Sequence, residues 1–211
     1  IRNTLFFNRA DPVYDLQLGI LDTRNKVVLT SGFESRRTSE QFLRGRWNID
    51  SAISMQVNVT TGLRANDSEF FDNKDYNIEY WSLEPQVTWL PSQSFRTIAA
   101  YNFENSKNTL GENGEQATSH DLSLETTFNQ STTTSIRSKF SFVNVNFTGL
   151  QNSPVGYVML QGLQNGKNFL WNFTFDRRLG QNIRLSVSYE GRKTGTANVV
   201  HLGRAQVAAV F

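Results

Sequence analysis

Residues 167–211 read KNFLWNFTFDRRLGQNIRLSVSYEGRKTGTANVVHLGRAQVAAVF. Phe169, Trp171, Phe173 and Phe175 take every second position, and Asn168, Asn172, Thr174, Asp176 and Arg178 fill most of the alternate ones, with Leu170 the exception. Leu179-Gly180-Gln181-Asn182 reverses the chain into Ile183, Leu185, Val187 and Tyr189 against Arg184, Ser186, Ser188 and Glu190. A last segment sets Ala205, Val207, Ala209 and Phe211 against Arg204 and Gln206. Successive side chains of a strand point to opposite faces, so each of these strands has one apolar side and one polar side.

The same pattern recurs upstream. Tyr14, Leu16, Leu18 and Ile20 oppose Asp15 and Gln17, and Leu43, Gly45, Trp47 and Ile49 alternate with Phe42, Arg44, Arg46 and Asn48. Ile53, Met55, Val57 and Val59 then oppose Ser54, Gln56, Asn58 and Thr60. Trp81, Leu83, Pro85, Val87 and Trp89 share a face, as do Phe95, Thr97, Ala99, Tyr101 and Phe103, and then Leu122, Leu124, Thr126 and Phe128. Pro85 deletes one ladder donor. After Ile136, Phe140 and Phe142 the apolar residues change parity to Val143, Val145 and Phe147, which predicts a bulge or the end of the half-buried zone. No segment shows a helical period. Asp22 to about Gln41 reads as a long polar connection whose Val27-Val28-Leu29 patch suits a loop hairpin, and Thr148–Lys167 reads as a long Gly- and Asn-rich loop.

Turns fall into two alternating classes. Tight ones lie near Asp11, Asp50, Ser92, Gln130 and Gly180, and longer ones near Glu34, Ser68, Gly111, Pro154 and Thr194. In an up-and-down sheet each class occupies one end. The strands run about 10 to 14 residues, longer than the roughly 5 or 6 of a soluble sandwich and enough for the roughly 9 to 11 that a tilted strand needs to cross a bilayer.

Aromatic placement gives the same answer. Trp47, Trp89, Phe95, Phe128, Phe175 and Phe211 sit on the apolar faces beside tight turns or the chain end, whereas Trp81, Phe103, Phe169 and Trp171 lie toward the long loops. The step from Trp81 to Trp89 covers about 19 Å of height at ordinary rise and tilt, close to the separation of two aromatic girdles around an apolar band about 25 Å tall. The fold class is therefore all-β, an antiparallel up-and-down transmembrane β-barrel of about ten strands. Residues 1–211 form one barrel domain. Thr4–Phe7 followed by Asp11-Pro12 reads as a further strand and turn, which favours the C-terminal part of a longer chain and a larger barrel, because closed bacterial barrels use even strand numbers.

Composition excludes several classes. With 38% hydrophobic and 19% charged residues, the 211 residues suffice for one domain or at most two, and the absence of cysteine removes disulfides, thiol catalysis and Cys-based zinc sites. A net charge of +2, spread evenly, gives no reason to expect nucleic acid. A mean hydropathy of −0.44 hides alternation, since a barrel signals in period and not in runs.

Nothing gathers into a catalytic or metal centre. In Ser119-His120-Asp121 alternation throws His120 to the opposite face from its neighbours, so no nucleophile–base–carboxylate relay forms from it. Glu69, Asp72 and Asp75 lack calcium-loop spacing, and Gly111–Gly114 is a turn without phosphate-cradle character. No catalytic residue, cofactor or metal is expected. The polar faces carry both signs, among them Arg44, Arg46, Glu84, Glu104, Asp121, Glu125, Arg137, Lys139, Glu190 and Arg204, which suits cross-strand pairs filling a lumen.

The alternating strands, the asymmetry of turns and the terminal Phe211 with apolar residues at every second position before it resemble a Gram-negative outer-membrane β-barrel. That resemblance implies tight turns in the periplasm, long loops outside the cell, and Val207, Ala209 and Phe211 as the signal read by the barrel-assembly machinery. Ala209 departs from the pattern, which often has a larger aromatic there. It also implies the cell outer membrane as location, the lipid bilayer and other envelope proteins as partners, and Trp47, Trp81, Trp89, Phe95, Phe103, Phe128, Phe169, Trp171 and Phe175 as the membrane-facing girdle. Three functions stay open: a structural, transport or scaffolding barrel; an outer-membrane enzyme with a loop-rim site; and a soluble β-sandwich carbohydrate-binding module.

Overall fold

The computed structural model describes residues 1–30, 32–110, 114–130, 133–180 and 182–209. Eleven antiparallel strands form one sheet in chain order. They are β1 (Arg2–Phe7), β2 (Tyr14–Leu29), β3 (Gly32–Asn48), β4 (Ile53–Ser68), β5 (Tyr76–Ser92) and β6 (Phe95–Asn108), followed by β7 (Gln116–Gln130), β8 (Thr134–Thr148), β9 (Gly166–Leu179), β10 (Ile183–Thr194) and β11 (Val200–Ala209). Among the described residues β1 pairs with β2 alone and β11 with β10 alone, so the sheet has two free edges.

The strands exceed the expected length: β3 and β5 have 17 residues each and β2 and β4 have 16. The supposed polar connection from Asp22 to Gln41 is strand up to Leu29 and again from Gly32, because Leu21 to Leu29 pairs residue by residue with Gly32 to Glu40. Polar residues on both faces hide such an extension, since alternation appears only where one side meets apolar surroundings. On the outer face of this extension Asp22 holds Arg24 at 3.3 Å and Arg37 at 3.0 Å, so the apolar stripe ends in ion pairs. At the opposite end Asp11 caps the β1–β2 turn. It accepts from the Val13 amide at 2.7 Å and the Tyr14 amide at 3.3 Å, bonds that hold its carboxyl below the usual carboxylate range.

Two other expectations need correction. The parity change in β8 is no bulge, since its register with β7 runs unbroken from Thr134 to Thr148. The 149–165 connection also contains a helix, α1 (Pro154–Leu160), which turns back into the sheet's concavity. Ser153 caps it by accepting from Gly156 N at 2.9 Å, Pro154 starts it, and Gln161 ends it in the left-handed conformation. Its Val155, Met159 and Leu160 join Ile78, Ala117, Val143, Val145 and Phe147 as the buried core. A fully buried side chain of this size contributes roughly 1.5–3 kcal/mol, so α1 explains why β8 turns apolar residues inward from Val143 onward.

Polar side chains fix the return of this connection. Asn165 accepts from Phe147 N at 3.0 Å and donates to Phe147 O at 3.2 Å, as a neighbouring strand would. Asn168 is fully buried; its Nδ2 donates to the carbonyls of Val143, Gln164 and Gly166, and its Oδ1 accepts from Gln164 N.

Two glycines mark close approaches. Gly62 has no room for a side chain, since a Cβ there would stand 2.7 Å from the Ser39 carbonyl oxygen and 2.9 Å from the Tyr80 ring. A Cβ at Gly156 of α1 would collide with the carbonyl oxygen of Leu150. Because the obstacle at Gly62 includes backbone, Gly62→Val is expected to destabilise the barrel by ~1–3 kcal/mol. The measurement is the temperature at which the compact, fast-migrating form is lost on unheated gels, and an unchanged temperature contradicts the packing.

Candidate functional site

The helix identifies the inside of the sheet, because the residues it touches, Ile78, Ala117, Val143 and Val145, must face the lumen. Alternation and register then assign every other residue. Leu18, Leu43, Val59 and Leu83 are successive cross-strand neighbours on the outer face, and so are Trp47, Met55 and Val87. Phe95, Phe128, Ile136, Phe175, Val187 and Ala205 continue the outer surface.

All nine aromatics expected to form a girdle lie on this outer face. Trp89 meets Phe95 edge-on at 6.0 Å near the tight turns, while Trp81 meets Phe103 at 4.9 Å and Phe142 meets Phe169 at 5.1 Å toward the long connections. Trp47 is 56% exposed, which in water would be an apolar liability repeated on almost every strand. Of the three residues expected to form an assembly signal, Val207 and Ala209 are on the outer face of β11, opposite Leu185 and Ile183. Phe211 lies outside the described residues.

Sequence reading did not anticipate the part played by the chain's two histidines. Both face outward. His120 Nδ1 is 2.7 Å from the Tyr101 hydroxyl and its ring is 5.1 Å from Phe103, while His201 Nδ1 is 2.8 Å from the Tyr189 hydroxyl and its ring 5.9 Å from Trp171. Ser119 and Asp121 face inward, so the register separates His120 from them as alternation requires.

The lumenal face is polar and mixed in sign. Arg44 Nε donates to Asn58 Oδ1 at 2.9 Å, and Asn58 Nδ2 reaches Glu84 Oε2 at 3.4 Å, so three adjacent strands share one hydrogen-bonded row. Beyond the interruption at Pro85, Asn102 and Asp121 are the next cross-strand pair. Arg46 pairs with Asp15, Arg64 with Glu104 at 3.4 Å, and Arg137 with Glu125 at 3.8 Å. The expected charge pairing across strands is therefore present, but it leaves space. A cavity of about 210 Å³ separates α1 from the wall, lined on one side by Asn102, Glu104 and Asp121 and on the other by Met159 and Leu160.

Above α1, at the end bearing the long connections, a larger cavity of about 690 Å³ opens between the β3–β5 rim and the helix. Glu69 and Asp75, near this rim, spend their carboxylates on the backbone amides of Phe33 and Ser68, at 3.0 and 2.7 Å. Among the described residues no group of three or more His, Cys, Asp or Glu side chains is placed to hold a metal ion.

These features define a class, the up-and-down β-barrel wall of outer-membrane type: long strands, an apolar exterior, a polar interior and a connection folded inward. Comparison with solved structures gives particular members of that class. The chain is similar to the outer membrane channel DcaP of Acinetobacter baumannii, with 12% identity and a TM-score of 0.64 over 99% of this chain and 61% of that one. It is also similar to the CymD monoaromatic hydrocarbon channel, with 7% identity and a TM-score of 0.52 over 100% of this chain and 78% of that one. The chain thus spans 61% of the length of DcaP. No family model matches the chain, and no curated protein does. At such identities the likeness is one of fold, and the fold is that of outer-membrane β-barrels.

If α1 is held by apolar contact alone, Leu160→Asp, which buries an unpaired carboxylate, is expected to release it at a local cost of roughly 3–5 kcal/mol. Limited proteolysis checks this: new cleavage within 149–165 is expected with the strands intact, and unchanged resistance contradicts it.

Proposed function

We propose that the chain forms most of the wall of a solute channel in the outer membrane, with α1 narrowing the lumen. The observation that carries this reading is the placement of α1. It fills part of the lumen against one wall and leaves a cavity of about 210 Å³ between itself and Asn102, Glu104 and Asp121 of the facing strands. The apolar exterior supports residence in a bilayer, and the fold shared with two channels supports transport over a purely structural role. The nine outward aromatics act as girdles at the two interfaces, and Val207, Ala209 and Phe211 act as the assembly signal.

The free edges of β1 and β11 need partners. A lipid-exposed row of unpaired N–H and C=O groups costs several kcal/mol per group, so those edges are paired in the membrane. A rim enzyme has less support, because both histidines face outward, hydrogen-bonded to tyrosines.

Planar-bilayer recording of the natural full-length protein tests the channel. Discrete conductance steps are expected, with larger steps for Leu160→Asp. A folded, inserted protein that passes no current contradicts the reading. Residence in lipid has its own check. Val57→Arg, near the middle of the outer apolar stripe, is expected to cost ~2–4 kcal/mol in folding into lipid vesicles, and Asn58→Arg on the lumenal side far less. Equal effects of the two contradict the assignment of faces, and a larger cost for Asn58→Arg would reverse inside and outside.

A further inference from the structure

Lumenal charge is mixed over the sheet as a whole, yet the register sorts it at the tight-turn end of β6–β11. Arg96, Thr127, Arg137, Thr174, Ser188 and Arg204 are successive cross-strand partners in one row. Each stands next in its strand to one of the outward residues Phe95, Phe128, Ile136, Phe175, Val187 and Ala205, so the whole row faces the lumen. Nearer the β9–β10 turn, Arg178 is paired directly with Arg184 on the same face. Cβ atoms of such partners are about 4.5–5.5 Å apart, and like charges so placed repel.

Little offsets these arginines. Among the described residues Arg96, Arg178, Arg184 and Arg204 form no ion pair with a carboxylate. Asp176, in the row between, accepts from Ser186 Oγ at 2.5 Å. Farther from the turns the next row, Glu125, Lys139, Asn172 and Glu190, has an acid on either side of its lysine, so the positive surplus belongs to the mouth.

The arginine pair borders a cavity of about 340 Å³, lined also by Asn129, Thr133, Ser135 and Asp176. Every residue lining it is polar or charged, so an apolar solute gains nothing there. A guanidinium is a planar fork of N–H donors that matches the oxygens of a carboxylate or phosphate two at a time. An oxyanion between two such forks also relieves the repulsion of the bare pair.

We propose that this cavity is an oxyanion-binding station at the tight-turn mouth of the lumen. The carboxylate or phosphate group of a solute sits between the Arg178 and Arg184 guanidiniums, and Arg96, Arg137 and Arg204 draw anions toward it. The proposal rests on the channel reading and adds that the solute is an anion.

Reversal potentials of the natural full-length protein in a potassium chloride gradient test the charge preference, and inorganic phosphate tests the station. Chloride is expected to permeate about tenfold better than potassium, since a cleft lined by one sign of charge concentrates counter-ions to that extent. Millimolar phosphate is expected to reduce the chloride current. The double variant Arg178→Gln, Arg184→Gln removes two exposed like charges and so spares folding; it is expected to lose most of the chloride preference and the phosphate effect. Arg24→Gln, which removes a positive charge from the outer face, is expected to keep both. Preference for potassium, or a double variant that behaves as the natural protein, overturns the proposal and keeps the channel. Line broadening of the phosphorus NMR signal of inorganic phosphate, with the protein in a sugar-headed detergent, reads the station without any current. Broadening that disappears in the double variant, from a protein that passes no current, keeps the station and removes the channel; equal broadening in both proteins overturns the station.

Discussion

Everything in this fold depends on where backbone hydrogen bonds can be made. In hydrocarbon an N–H or C=O group without a partner costs several kcal/mol, so a chain that crosses with strands must pair each one with a neighbour. The sheet meets that demand by the simplest route, joining each strand to the one before it. Side chains alternate across such a sheet, and the sequence must then write an apolar residue at one position and a polar residue at the next. The exterior from Leu18 through Leu43, Val59 and Leu83 and the interior from Arg44 through Asn58 and Glu84 are the two results of that one constraint.

The interior has a second demand, because a wide sheet leaves more lumen than its own side chains fill. Ion pairs such as Arg64–Glu104 fill some of it, and α1 fills more. The helix is short, yet it is specified at both ends: a Ser153 cap and Pro154 start it, and Gln161 ends it. It is also specified from the wall, since Val143, Val145 and Phe147 give it an apolar seat where the rest of the lumen is polar. Here an inward-facing patch of ordinary core chemistry sits inside a barrel whose other apolar surface is outside.

The sequence shows some of this plainly and hides the rest, for identifiable reasons. Period-two alternation is a local signal, so the strands, their faces and the outward position of the nine aromatics were legible, including β1 from Thr4 to Phe7. The extension of β2 and β3 was not, because beyond Ile20 both faces meet water and residues such as Asp22, Arg24 and Arg37 show no contrast. The helix was missed because its seven residues, Pro154–Leu160, are too few to show a period. Its signal lay in β8, where the parity change suggested a bulge or the end of the half-buried zone and in fact marks contact with the helix in the connection that follows.

The central claim is that the aromatic-studded face is the one that meets lipid. All four tryptophans, Trp47, Trp81, Trp89 and Trp171, are on it. Tryptophan fluorescence of the protein folded into vesicles, with lipids brominated at different depths along the acyl chain, measures this directly. Strong quenching by the bromolipids is the result expected, greatest for bromines placed near the interfaces, together with little quenching by aqueous iodide. Efficient quenching by iodide with none by bromolipid would place the aromatic face away from the membrane and contradict the assignment of inside and outside.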